Sequence, residues 1–356
     1  MSIKPSFRNI HNRFLLNGTH YRFQDLFEIA YSLIKEGKEH EIAIGDFLMD
    51  WIRPNDIITL KTSGSTASPK SITYNKQSMV NSALATGNHF GVSIGDPALH
   101  CLNADFIAGK MMLVRAMILG LEIDLVPPQG NVLMHSDKTY DFVAMVPLQV
   151  NNAFEDLDRV KTLLIGGAPT SVQLKERLKE KQTQCYETYG MTETLTHIAA
   201  RKINGNSEYY STLPNVSISQ DKRNCLVIDV PYLSEEKIVT NDLVDLKGDD
   251  AFLLKGRVDN MINTGGVKVL PEEVEAKISA HMDLPFIVGA IKDTALGQKI
   301  ILVVEGDFPV NLLEDLDNIE QMTKYELPKE IHSLKTFVRT ANGKIKRKET
   351  LALLDL

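Results

Sequence analysis

The 356-residue chain is 43% hydrophobic and 24% charged, ordinary for a soluble globular protein with room for two or more domains. A formal net charge of −7 argues against nucleic acid or an anionic membrane as the main partner. Cys101, Cys185 and Cys225 are scattered and form no CxxC pair, so a reduced, cytoplasmic protein without a structural zinc is expected.

The first residues, MSIKPSFRNIHNRF, are basic but lack the apolar centre of a signal peptide. The later run MMLVRAMILGLEIDLV is interrupted by Arg115 and then by acids, so no membrane span is expected. Residues 23–36 repeat apolar positions at helical spacing. IITLKT and SITYN read as strands around the loop TSGSTASPK (62–70), and NKQSMVNSALATGNHF as a helix with Asn75 as its N-cap. Between 140 and 195, DFVAMVPL, VKTLLIGG and QCYETYG read as strands, with TSVQLKERLKEKQ a helix capped by Thr170 or Ser171. That is βαβ grammar and predicts a buried parallel sheet. Residues 205–255 shift to short strands (CLVIDVPYL, KIVTNDLVDL, AFLLKG), a small barrel or meander. After GRVDN come a helix (PEEVEAKISAHM), two strands (FIVGAIKD, KIILVVEGD) and a basic tail. The expected boundary near Gly256–Asn260 gives domains 1–256 and 257–356.

The loop at 62–70 looks like a Walker A motif with Pro69 where a glycine should be. Proline removes one phosphate-binding N–H, and the β-prone run Ser-Ile-Thr-Tyr follows Lys70 where a P-loop needs a helix. Thr62, Ser63, Gly64, Ser65, Thr66 and Lys70 could instead grip a polyphosphate through hydroxyls and an ammonium; a solvated hairpin turn is the alternative.

TSGSTASPK, GGAP (166–169), YETYGMTE (186–193), GRVDNMINTGGVKVLPEEVE (256–275) and RTANGKIKR (339–347) together resemble the acyl-adenylate-forming enzymes, in their order and roughly their spacing. The resemblance runs from about Asp56 to the C-terminus, and its details look most like the o-succinylbenzoate–CoA ligases of menaquinone biosynthesis. It implies an α/β fold with a large N-terminal domain of parallel and mixed sheets plus a small barrel part, and a small mobile α+β C-terminal domain.

By resemblance, Gly166, Gly167, Ala168, Glu187, Tyr189 and Gly190 line the ATP site, with Tyr189 a face for adenine to stack on. Thr192 would contact phosphate and Glu193 bind Mg²⁺, a hard cation that takes few protein oxygens. Asp242, in Thr-Asn-Asp where the family usually reads Thr-Gly-Asp, would accept ribose hydroxyls; Arg257 would be a second ribose or phosphate contact, and Asp259 the hinge. Gly265 and Gly266 would open the coenzyme A channel, or simply form a β-turn. Lys344, after Asn342-Gly343, would place an ammonium between the attacking carboxylate and the α-phosphate. Lys346, Arg347 and Lys348 read as a solvated basic helix start. A substrate with two carboxylates needs a cation for the second, and Lys110, Arg115, His197 and Arg201 are the candidates.

The implied chemistry is ATP-dependent acyl-adenylate formation followed by transfer to CoA, with the small domain turning about Gly256–Asp259 between the steps. Its partners are small molecules: a carboxylic acid, ATP and CoA. Loading of a carrier-protein thiol, or nucleotide binding without turnover, are the competing readings. The hydroxyl loop begins near residue 62, where the family places a further subdomain before it. The fold is therefore expected to be N-terminally reduced, with dimerisation one way to cover an exposed edge.

Overall fold

The computed structural model describes residues 5–61, 71–282, 284–309, 311–340 and 343–354. Thr62, Ser63, Gly64, Ser65, Thr66 and Lys70 lie outside the described residues. The chain divides into two compact units, the first of residues 1–170, 177–217 and 228–238, the second of 171–176, 218–227 and 239–356. The boundary expected at residue 256 falls inside the second unit.

The first unit holds strands β1 (Leu15–Leu16), β2 (Thr19–His20), β3 (Ile57–Lys61), β4 (Ser71–Asn75), β5 (Pro97–His100), β6 (Glu122–Leu125), β7 (Tyr140–Met145), β8 (Val160–Ile165), β9 (Gln184–Gly190), β10 (His197–Lys202) and β11 (Tyr210–Thr212). All but β3 and β4 lie in the order β2-β1-β6-β5-β7-β8-β9-β10-β11. The run from β1 to β9 is parallel throughout, and β2, β10 and β11 add antiparallel ends. β3 and β4 pair antiparallel from Ile57↔Asn75 to Lys61↔Ser71, as expected of strands flanking the hydroxyl loop. The helices are α1 (Leu26–Lys35), α2 (Glu39–Ile52), α3 (Lys76–Phe90), α4 (Ile107–Leu119) and α5 (Pro147–Asn152), while α6 (Val172–Leu178) belongs mostly to the second unit.

α3 begins where the Asn75 side chain accepts from the Gln77 N–H at 2.7 Å, and ends at Gly91 with φ +65°. α4 is the interrupted apolar run. It is buried from Met111 to Ile118, which makes it a core helix, apolar on every side apart from Arg115 in its middle. No helix among the described residues is long and apolar enough to cross a membrane. α2 packs closely on α1: a Cβ on Gly45 would lie 2.8 Å from the Ala30 carbonyl oxygen. Lys76 is fully buried, its ammonium donating to the carbonyls of Trp51 (2.9 Å) and Arg53 (3.0 Å) at the end of α2. Positive charge there complements the helix dipole.

The second unit contains β12 (Ser217–Gln220), β13 (Cys225–Asp229), β14 (Ile238–Lys247) and β15 (Ala251–Arg257), adjacent in chain order as a meander. It continues with β16 (Ile262–Thr264), β17 (Val267–Val269), α7 (Pro271–Ser279), β18 (Phe286–Asp293), β19 (Gly297–Glu305), α8 (Leu312–Asp317), β20 (Glu330–Leu334) and α9 (Arg347–Leu351). The later strands form a sheet in the order β17-β16-β19-β18, with β20 parallel on β19. Val274 and Ile278 of α7 pack on Val288, Leu302 and Val304 of that sheet. Arg347 is not the solvated residue expected at the start of α9. Its Nη1 and Nη2 donate to Glu275 Oε1 and Oε2 at 2.6 and 2.7 Å, and the guanidinium also reaches the Val288 carbonyl. Burial pushes the Glu275 carboxyl up, and the two charge-assisted bonds from Arg347 oppose that rise.

Candidate functional site

β8 and β9 are parallel, with Ile165 opposite Glu187, so GGAP and the TYGMTE loop leave the sheet at the same carboxyl edge. That is where open α/β sheets receive ligands. A Cβ on Gly166 would stand 2.5 Å from Thr188 Oγ1, so only glycine fits beside β9 there, and Gly167 has φ +82°. Gly167 is exposed at this edge and Ala168 half-buried.

Along β9 the side chains alternate, and Cys185, Glu187 and Tyr189 share the buried face. Glu187 Oε2 accepts from the Tyr210 hydroxyl at 2.8 Å and from Arg201, and its Oε1 lies 3.4 Å from the Thr170 N–H. Tyr189 is 8% exposed and stands edge-on to Tyr210, with ring centroids 6.1 Å apart. These two site candidates therefore sit on the inner side of the edge, in a polar and aromatic group with Tyr210 and Arg201. A Cβ on Gly190 would meet the Thr196 carbonyl oxygen at 2.4 Å, so the chain turns tightly here.

The turn at 191–196 is closed by Leu195 N–H donating to the Thr192 carbonyl at 2.9 Å. Leu195 is fully buried at φ +67°, a conformation that costs a bulky residue about 1–2 kcal/mol. The Tyr74 hydroxyl also donates to the Thr192 carbonyl. Burial pushes that phenol up to about 12, and the charge of Glu193 adds to the shift. Glu193 itself is exposed and forms no ion pair among the described residues.

Four cations were candidates for a second carboxylate, and their surroundings differ. Lys110 donates to the carbonyls of Ala104 and Asp105, the latter at 3.2 Å, next to the start of its own helix. Arg201 is paired with Glu187 and lies over the Tyr210 ring. His197 is buried and its pKa falls well below the usual histidine value, through burial first and then the positive charge of Arg115. Arg115 is 2% exposed, and no acid among the described residues pairs with it. Its Nε lies 3.4 Å from Thr86 Oγ1, and its Nη2 lies 3.2 Å from Thr196 Oγ1 and 3.4 Å from His197 Nδ1. Burial lowers the guanidinium pKa to about 10.

In the second unit, Asp242 and Arg257 face each other across β14 and β15, with Nη1 to Oδ1 at 2.7 Å. Arg257 Nη2 reaches Asp259 at 3.0 Å, and Asn241 donates to the same carboxylate at 3.0 Å. Partial burial pushes the Asp259 carboxyl up, but those hydrogen bonds outweigh it and hold the group below its ordinary range. Gly265 and Gly266, at φ +57° and +79°, form the two-residue turn between β16 and β17. Lys344 follows Gly343 (φ +85°), its N–H donating to Thr340 Oγ1 at 3.1 Å, and its side chain is exposed.

A profile of the AMP-binding enzymes matches residues 24–220. The chain belongs to the AMP-binding enzyme family. An acyl-CoA synthetase (AMP-forming)/AMP-acid ligase II-like protein of Dyadobacter fermentans DSM 18053, known from its crystal structure, is 35% identical. That match covers 92% of this chain and 98% of that protein with TM-score 0.61. The o-succinylbenzoate CoA synthetase (MenE) of Bacillus subtilis, solved with the acyl-adenylate intermediate OSB-AMP, gives TM-score 0.78 over 95% of each chain. At 16% identity this shows the likeness of fold. The 2-succinylbenzoate–CoA ligase of Escherichia coli K12 is 26% identical over 269 residues, 69% of this chain but only 58% of that protein. The family and α/β fold expected from the sequence are thus shown.

Tyr74, Thr86, Thr196 and Tyr210 escaped the sequence reading. None carries a local motif; each matters only because the fold brings it to Thr192, Arg115 or Glu187.

Proposed function

We propose that this AMP-binding enzyme is an ATP-dependent acyl-CoA ligase for an acid with two carboxylates, with 2-succinylbenzoate the first acid to test. The observation that carries the substrate class is Arg115. Burying a lone guanidinium costs several kcal/mol unless something offsets it, and a bound anion would do so. The relatives named for 2-succinylbenzoate support that particular acid.

In this reading one carboxylate attacks the α-phosphorus of ATP, forming a C–O–P link and expelling pyrophosphate. The CoA thiol then attacks the acyl carbon and AMP leaves. Dividing acyl transfer through a mixed anhydride replaces one difficult step by two easier ones. Lys344 offsets the negative charge of both the attacking carboxylate and the α-phosphate as they approach. Thr192 contacts phosphate and Asp242 and Arg257 hold ribose. Gly166, Gly167, Ala168, Glu187, Tyr189 and Gly190 shape the adenine side. The hydroxyl loop with Lys70 grips the outer phosphates, Gly265 and Gly266 flank the pantetheine path, and Asp259 is the hinge between residues 1–256 and 257–356.

Among the described residues no group of three or more His, Cys, Asp or Glu could hold a metal. An exposed single carboxylate such as Glu193 nevertheless suits Mg²⁺, which takes one or two carboxylates and fills its other positions with phosphate and water. Bound there, the ion would neutralise phosphate charge.

The test is acid-dependent exchange of labelled pyrophosphate into ATP over a panel of mono- and dicarboxylates, followed by thioester formation with free CoA. Exchange is expected with dicarboxylates above all. No exchange with any acid would overturn the ligase reading, and equal exchange with matched mono- and dicarboxylates would overturn the substrate class.

A further inference from the structure

The hydrogen bonds around Thr86 fix more than they first suggest. A hydroxyl has one proton to give and two lone pairs to receive. Thr86 Oγ1 lies 3.0 Å from the Ser82 carbonyl oxygen, one turn back in α3, and a carbonyl can only accept, so the proton goes there. The other two contacts of Oγ1 must then be acceptances. One is from Arg115 Nε at 3.4 Å, and the other is from His197 Nε2 at 3.2 Å. His197 therefore carries its proton on Nε2. The opposite nitrogen, Nδ1, is bare, and it stands 3.4 Å from Arg115 Nη2, which has protons to donate. Threonine, histidine and arginine thus form a closed set of donors and acceptors in which no valence is contested. An imidazolium would place an N–H against the guanidinium, and the burial of His197 beside Arg115 independently disfavours that form.

The consequence lies in what Arg115 has left. Nε is engaged by Thr86, and Nη2 by His197 and by Thr196 Oγ1 at 3.2 Å. Among the described residues Nη1 donates no hydrogen bond, and Tyr232 is a further electrostatic neighbour of the guanidinium. We propose that His197 and Thr86 are positioning residues. They hold the Arg115 guanidinium so that its Nη1 edge faces the acyl substrate, and this sets the preference for an acid with a second carboxylate. His197 then acts as a neutral acceptor. The inference rests on the dicarboxylate reading above and adds to it the residues that orient the cation.

Two measurements test it, one needing no turnover. In ¹⁵N-labelled wild-type protein at pH 7, the ring nitrogens of His197, assigned by their loss in His197→Gln, should show a protonated Nε2 and a bare Nδ1. An Nδ1–H tautomer or an imidazolium would overturn the proposal even in a protein that activates no acid at all. The second uses pyrophosphate exchange with 2-succinylbenzoate and with 4-oxo-4-phenylbutanoate, the same acid without its ring carboxylate. His197→Leu should lower the kcat/KM ratio of the first acid to the second about tenfold, the scale of one hydrogen bond to a charged group. His197→Gln, which keeps an acceptor, should restore most of that ratio, as should Thr86→Ser relative to Thr86→Val. A ratio unmoved by His197→Leu, or lost equally in His197→Gln, would overturn the positioning role. If wild type shows exchange with neither acid, the ligase reading fails, and the NMR result still decides the geometry.

Discussion

Arg115 is buried and Arg347 largely so, and the two are held differently. Arg347 in the second unit meets Glu275 through two parallel hydrogen bonds, at 2.6 and 2.7 Å. Among the described residues Arg115 in the first unit hydrogen-bonds two threonine hydroxyls and a neutral histidine, with Tyr232 a further electrostatic neighbour and no acid paired with it. The first arrangement is closed, because both charges are matched and the fork geometry is used fully. The second leaves a charge that the protein has desolvated but not neutralised. A cation whose charge is fully matched by the protein serves the fold. One whose charge is not matched is available to a ligand. Lys344, exposed and without an ion pair among the described residues, is solvated rather than desolvated, and its assignment to a ligand belongs to the adenylation reading proposed above.

The comparison breaks most sharply at Lys344. Lys344→Ala should slow acid-dependent pyrophosphate exchange by about 10²–10³-fold, the usual cost of removing one preorganised charge-stabilising donor. Its melting temperature should stay at the wild-type value. A fall of less than tenfold would remove Lys344 from the adenylation step.

Arg347→Ala should do the reverse. Leaving the partly buried Glu275 without its partner should cost about 1–3 kcal/mol, read as a lower urea midpoint for the transition that reports the second unit. Replacing both members by apolar residues, Arg347→Met with Glu275→Leu, should recover much of that loss. If the double variant is as unstable as the single one, the pair does more than balance charge. Arg115→Met is the matched experiment. Removing a lone buried charge should leave stability unchanged or raise it by about 1–2 kcal/mol, while KM for a dicarboxylic acid rises at least about tenfold. Destabilisation of Arg115→Met by as much as Arg347→Ala would erase the distinction between the two arginines.

Much of this was legible in the sequence, because the signals were local. The alternation of Cys185, Glu187 and Tyr189 and the Asn75 cap are written into neighbouring residues, and the parallel strands follow from apolar runs separated by helices. The candidates at GGAP and TYGMTE fall at one sheet edge because parallel strands put their carboxyl ends together. What could not be read depends on distant partners. Arg115 and Arg201 look alike in a sequence, and only folding shows that Arg201 finds Glu187 while Arg115 finds no acid among the described residues. Arg347 looked solvated because its partner lies 72 residues away, on α7. Leu195 gives no sign of its left-handed backbone, since nothing in leucine asks for it.

The mildest test turns on pH. Burial lowers the pKa of His100 to about 4, its hydrogen bond to the Gly109 carbonyl opposing only part of the shift. His197 is lowered as well, by burial and by Arg115. A histidine whose pKa is depressed on folding binds its proton more readily when unfolded. The stability it contributes is therefore present above about pH 6.5 and is lost as pH falls toward the folded pKa. Wild-type unfolding free energy should rise between about pH 4 and 6.5, each such histidine adding at most about 1.4 kcal/mol per pH unit. His100→Gln should flatten the slope by removing one titration. Arg115→Met should flatten it more weakly, because His197 stays buried while losing the neighbouring charge that helps to depress it. If Arg115→Met leaves the slope unchanged and His100→Gln reduces it, burial alone keeps His197 neutral, and the electrostatic link between His197 and Arg115 is negligible.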